Sequence, residues 1–137
     1  MGHAGVSALV SRVRFASLWL PVIAYMAMIF EGSSVSNVPG VVDAFPDTFL
    51  HMVEYGGLAL VSLRAVAGGR WARVTLGALV AAWLIATLYG ATDEWHQMYT
   101  PGRVSELRDL RNDAAGALVA LAVAWAWGTM KPPSRAR

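Results

Sequence analysis

Asp47, His51 and either Glu54 or Tyr55 recur at the i, i+4, i+7 or i+8 spacing that puts side chains on one face of a helix. Tyr89, Asp93 and either His96 or Gln97 form a second such stripe, and Asp109, Asp113 and Gly116 a third. Histidine with carboxylates suits zinc, and carboxylates alone suit magnesium, calcium or manganese. The metal candidates are His51, Glu94 and His96. A metal so held polarises a phosphate oxygen or activates water. Without a metal, His51 or His96 can act as general base beside Asp93 or Glu94, which makes these four the catalytic candidates. Arg103 offers a bidentate fork for phosphate or carboxylate. The plainer alternative is mutual pairing that locks helix ends together. In that reading Asp47 is an N-cap after Pro46, Asp109 and Asp113 sit near a helix start, and Thr100-Pro101-Gly102-Arg103 is a turn.

The elements that must position these stripes are apolar. Of 137 residues, 56% are hydrophobic and only 15% charged, with no cysteine. Soluble domains average about 45–50% apolar and about 25% charged, and a short chain needs more polar surface, not less. Disorder, a disulfide scaffold and a cysteine-based zinc site are excluded. Four stretches approach the roughly 20 residues that cross a bilayer. They lie at about 15–31, 48–67, 74–92 and 112–130, with short polar tails at 1–14 and 131–137. The expectation is one all-α integral membrane domain over 1–137: four transmembrane helices in an antiparallel bundle, the economical arrangement for short loops. Small residues fit close packing of such helices, among them Gly56, Gly57, Gly116 and Ala120. Pro21 falls inside the first span, where neighbours must satisfy the carbonyl it frees.

Charge orients the bundle. Arg12, Arg14, Arg64, Arg70, Arg73, Lys131, Arg135 and Arg137 lie in the two tails and the second loop. Every acidic residue lies in or beside the first or third loop. The positive-inside rule places both termini in the cytoplasm and the three polar stripes at the outer leaflet. The calculated pI of 9.4 therefore reports topology and not a nucleic-acid surface. Ionisable groups at membrane depth usually face a partner or a wet cavity.

Asp93-Glu94-Trp95-His96-Gln97, then Thr100-Pro101-Gly102-Arg103, then Asp109, Asp113 and Gly116 resemble the VanZ-like membrane protein family. That pattern runs Asp-Glu, a Gln, a Pro-Gly-Arg turn, an Asp, an Asn or Asp, then Gly. Upstream, Ser33-Ser34 is similar to the family's paired serines, and Asp47, His51 and Tyr55 to its Asp, His and Tyr. The chain departs from it at Thr48, where Lys is common, at Met52, where an aromatic is common, and at Asp113, where Asn is commoner. The resemblance covers roughly residues 15 to 128 and implies a small multi-pass protein of the bacterial cytoplasmic membrane. The name-giving member is associated with low-level teicoplanin resistance, which implies a cell-envelope context without a reaction.

Three functions follow as expectations. The first is binding at the outer leaflet: Asp47, His51, Tyr55, Asp93, Glu94, Gln97, Arg103, Asp109 and Asp113 would hold a phosphate-bearing or lipid-linked ligand, such as a polyprenyl-linked cell-wall intermediate, or modulate an envelope protein partner. The second is a metal-assisted hydrolase or transferase on a lipid-linked substrate, with a divalent metal as its cofactor. The third is a small proton-coupled transporter using Glu54 or Asp93.

Overall fold

The computed structural model describes residues 3–34, 45–102 and 105–130. Among them the chain is helical throughout, without strands: α1 (His3–Ser33), α2 (Asp47–Val66), α3 (Leu76–Gln97) and α4 (Leu107–Met130), with a single 3-10 turn at Trp71–Arg73 between α2 and α3. Three helices are long and apolar enough to cross a membrane, over Gly5–Ser33, Thr48–Val66 and Leu76–Gln97. α4 has the length, but its first two turns carry Arg108, Asp109, Arg111 and Asp113.

Three helices run well beyond the expected spans at one end, whereas α2 ends at Val66 and α3 starts at Leu76, just inside them. α1 starts near the chain's beginning, so the polar tail expected at 1–14 is helical from His3 and carries Arg12 and Arg14 on the helix. α3 runs on through Asp93 to Gln97, and α4 begins at Leu107, ahead of Asp109. Charge does not stop these helices: Asp93 and one oxygen of Glu94 are hydrogen-bonded inside the bundle. Pro46 holds the cap position of α2, and Asp47 is its first helical residue.

The turns have local causes. α2 ends in a Schellman motif: Gly69 N–H donates to Arg64 O at 2.8 Å and Gly68 N–H to Ala65 O at 3.0 Å. Both glycines have positive φ, 62° and 69°, which side chains rarely tolerate. α3 is capped by Thr75, whose hydroxyl accepts from Ala78 N at 3.2 Å. Gly102, at φ 80°, follows Pro101 as a type II turn requires.

α2 packs most extensively on α4, and α1 lies against α2 and α3. The core is built from small residues, with Ala59, Ala82, Ala86 and Ala117 fully buried. Such residues let helix backbones approach closely. Indole and phenol groups tie the layers: Trp83 Nε1 donates to Ala114 O at 3.0 Å, and Tyr89 OH to Met26 O at 2.6 Å. Exposed Leu, Val and Phe cover the outside, as a surface meant for lipid would require.

Pro21 lies inside a continuous α1. It has no N–H for the carbonyl four residues earlier, that of Ser17. Arg64 of α2 supplies the missing donor, with Nη1 3.2 Å from Ser17 O. A double-mutant cycle should show it. Arg64→Ala is expected to cost about 1 kcal/mol in the native background and much less once Pro21→Ala restores the helical donor. Thermal unfolding in detergent measures both, and equal costs would disprove the coupling.

Candidate functional site

All three polar stripes reach one end of the bundle, here termed the acidic end. His51, one turn into α2, meets Asp113 of α4: Nδ1 lies 2.8 Å from Oδ1. Asp113 is 1% exposed and His51 9%. The contact exists because Gly90 of α3 leaves room for it. A Cβ on Gly90 would sit 2.8 Å from Asp113 Oδ2 and 3.2 Å from Tyr55 Cε1. Tyr55 is buried one turn beyond His51, its ring parallel to the imidazole. Its hydroxyl and Asp113 Oδ2 are both buried without a hydrogen-bond partner.

The second stripe splits across neighbouring faces of α3. Asp93 accepts from Ser33 Oγ of α1 at 2.6 Å and from Gln97 Nε2, one turn on, at 2.9 Å. Glu94 turns toward α4, where its Oε2 accepts from Ser105 Oγ at 2.9 Å and from Glu106 N–H at 3.0 Å. Its other oxygen, Oε1, is buried and unpartnered, as is Asp109 Oδ1. The exposed Arg108 has its Nε 3.7 Å from Asp109 Oδ1, too long for a hydrogen bond.

One ligand atom each from His51, Glu94 and Asp109 lies within 4.8 Å of the others, and all three residues are buried. Ligands at about 2.0–2.2 Å from zinc, or about 2.3–2.6 Å from calcium, span comparable distances across the ion. Asp113 engages Nδ1 of the imidazole. This is the carboxylate–histidine arrangement that fixes tautomer and ring orientation in metal sites. The electrostatics agree. Four carboxylates, Asp93, Glu94, Asp109 and Asp113, are buried at the same end as His51. Buried charge of that density is costly inside a protein unless it is paired, a cost that a bound divalent cation would offset.

The structure thus brings together His51, Tyr55, Asp93, Glu94, Gln97, Asp109 and Asp113. His96, expected as a metal ligand or base, points elsewhere. Its ring packs on Phe30 of α1 at 4.2 Å between centroids, and it joins no three-residue ligand group among the described residues. Asp109 lies with His51 and Glu94 instead. Asp47 opens α2, and Arg103 lies outside the described residues. Ser33 entered the sequence reading only by resemblance, and its bond to Asp93 gives it a role. Ser105 was not anticipated at all. Its only signal is a small polar residue just ahead of a helix start, a common and weak one.

Gly90→Ala gives a direct test of the packing around Asp113. The added methyl must displace the carboxylate or the Tyr55 ring. The His51 ring 15N shifts, which report tautomer, should move toward a mixed population. Unchanged shifts would mean that Asp113 does not hold the imidazole.

Compared with models of known protein families, residues 16–128 match VanZ/LLP1. Neither the curated proteins nor the solved structures gave a match.

Proposed function

The chain belongs to the VanZ/LLP1 family, and on that footing we propose that it is a membrane protein that holds a divalent cation at its acidic end and uses it to bind a phosphate-bearing, lipid-linked head group. The single observation that carries this reading is the buried His51–Glu94–Asp109 trio, with Asp113 behind the histidine. Three protein ligands leave coordination positions for an outside oxygen, as in catalytic rather than structural sites. Phosphate oxygens are natural occupants of such positions.

The proposed setting is the bacterial cytoplasmic membrane. α4 serves as a fourth span, the four helices run antiparallel, and both termini are cytoplasmic. The support is the charge distribution: Arg12 and Arg14 in the first half of α1, Arg64 in the last turn of α2, and Arg70 and Arg73 between α2 and α3 all lie away from the acidic stripes. The acidic end then faces the outer leaflet, where a polyprenyl-linked cell-wall intermediate would present its phosphate. Arg103, in the segment between α3 and α4, would add a guanidinium to that phosphate.

A second reading has its own observation. Asp93, fixed by Ser33 and Gln97, is a carboxylate beside the trio that is not needed for coordination. In a hydrolase it would orient a water for attack on phosphorus, breaking the bond to the bridging oxygen.

The test uses the full-length protein in bilayer nanodiscs. Elemental analysis after equilibration with zinc, manganese or magnesium should find one divalent ion per chain, lost in His51→Ala/Glu94→Gln. Binding of a polyprenyl phosphate should then weaken at least tenfold when the metal is chelated. Metal-independent binding of the same probe would overturn the cation reading. Metal-dependent release of phosphate from a polyprenyl pyrophosphate, lost in Asp93→Asn, would favour the hydrolase over simple binding.

A further inference from the structure

The opposite end of the bundle carries an arrangement that the proposed function does not use. Arg14 of α1, Arg64 of α2 and Arg73 of the 3-10 turn converge on the Gly68–Gly69 turn. Arg14 Nη2 donates to Gly68 O at 3.0 Å. The point where a Cβ of Gly68 would sit is 3.6 Å from Arg73 Nη1 and 3.9 Å from Arg14 Nη2. Two guanidiniums therefore share one small space, and Arg64 is held one turn deeper by Ser17 O. The sequence offers no counter-charge there. No Asp or Glu occurs before Glu31 or between Glu54 and Asp93. Each guanidinium has five N–H donors, and one backbone carbonyl takes up only part of that capacity in Arg14 and Arg64.

The same turn borders an apolar groove. Trp71, two residues before Arg73, lays its indole over Gly128 of α4. With Leu60 of α2 and Ala120, Val123, Ala124 and Trp127 of α4 it lines a groove open to the outside. Leu60 and Arg64 are one helical turn apart on α2, so the groove leads toward the guanidiniums along one helix face. A cationic head site at the end of an apolar furrow matches one kind of molecule, with its charge and its hydrocarbon in that order.

We propose that this end of the protein is a binding site for an anionic phospholipid, its phosphate between Arg14 and Arg73 and one acyl chain in the α2–α4 groove. Basic pockets between membrane helices recognise anionic head groups in this way. Trp71, with an apolar body and a polar N–H, suits the boundary between the two. The site is independent of the cation site at the acidic end, and of which leaflet this end faces.

The experiment is native mass spectrometry of the full-length protein released from nanodiscs made of equal parts phosphatidylglycerol and phosphatidylcholine with matched chains. Two surface guanidiniums favour the anionic lipid by about fivefold each, roughly 25-fold together. The native chain should retain phosphatidylglycerol over phosphatidylcholine by that order. Arg14→Gln/Arg73→Gln should bring the ratio near that of the bilayer. Arg14→Lys/Arg73→Lys should keep most of the preference. Val123→Trp fills the groove with the arginines intact, and should reduce retention of both lipids. Inorganic phosphate in solution should not displace the retained lipid. A bilayer-like ratio in the native protein would overturn the proposal without reference to any variant. So would a preference that survives the double glutamine change, and displacement by free phosphate would assign the arginines to a soluble anion instead.

Discussion

Gly116→Ala is expected to destabilise the protein by about 3 kcal/mol and to abolish metal binding at the acidic end with it. Propensity alone predicts the opposite sign, since Gly to Ala inside a helix gains up to about 1 kcal/mol. Packing decides the matter. A Cβ on Gly116 would fall within the van der Waals surface of the Met52 backbone, on both its Cα and its carbonyl. A flexible side chain could swing away, but backbone cannot, so α2 and α4 must separate. Met52 follows His51 directly, and Gly116 lies one turn after Asp113. Separation at this crossing therefore pulls apart the 2.8 Å contact between His51 and Asp113. Gly56→Ala is the matched control. Its Cβ would meet Ala120 Cβ and Gly116 O, each at 3.3 Å, which a shift of a few tenths of an ångström relieves. It should cost about 1 kcal/mol and leave the site able to bind metal. Thermal unfolding in detergent, with metal content measured in parallel, compares the two. If Gly116→Ala is as stable as the native chain, the close crossing of α2 and α4 is wrong.

That crossing also shows what the sequence can and cannot convey. Gly56 and Gly116 stand out as small residues within apolar helices, and their suitability for close packing is legible from type alone. Which helix each meets is not, because small residues are frequent in every span of this chain. The same division runs through the site. The three stripes follow from i, i+4 spacing, and they do converge. The pairing of His51 with a residue 62 positions away depends on which helices pack, and local periodicity is blind to that. His96 and Gln97 fit the α3 stripe about equally well by count. One residue is about 100° of helix, enough to send His96 to Phe30 of α1 and leave Gln97 on Asp93. The helix ends are not legible because a charge looks like a membrane boundary. α3 and α4 run on through Asp93, Glu94 and Asp109, and Asp93 and one oxygen of Glu94 are hydrogen-bonded within the bundle. Asp113 is the residue on which the family pattern and the geometry differ in emphasis. The commoner Asn could hold the imidazole by its carbonyl, whereas Asp adds a charge next to the ligands.

Glu94→Gln should change stability with opposite signs depending on whether metal is present. The substitution is nearly isosteric. The amide oxygen can still accept from Ser105 Oγ and Glu106 N–H, the two bonds that Glu94 Oε2 accepts at 2.9 and 3.0 Å. The amide nitrogen then takes the place of the unpartnered Oε1 and becomes a donor among the carboxylates. In chelator, the native chain keeps four carboxylates buried at the same end as His51, so removing one charge relieves repulsion and leaves a donor where an orphaned acceptor stood. The variant should melt at or above the native temperature. With metal, the order reverses. A ligand bound only by the folded state stabilises it by about 2.7 kcal/mol at a hundredfold excess over Kd, and the native chain gains this while the variant, lacking an anionic ligand, does not. Asp113→Asn should behave between the two. It keeps an acceptor for Nδ1 and removes a charge that is not itself a ligand, so metal affinity should fall by about 10–100-fold without being lost. Melting curves of the three chains, with and without metal, give six values and one required crossing. Were Glu94 merely structural, with its hydrogen bonds locking α3 to the start of α4, the variant would melt at the same offset from the native chain in both conditions. Parallel curves would thus remove the cation from the site, whereas crossing curves tie the buried carboxylates to it.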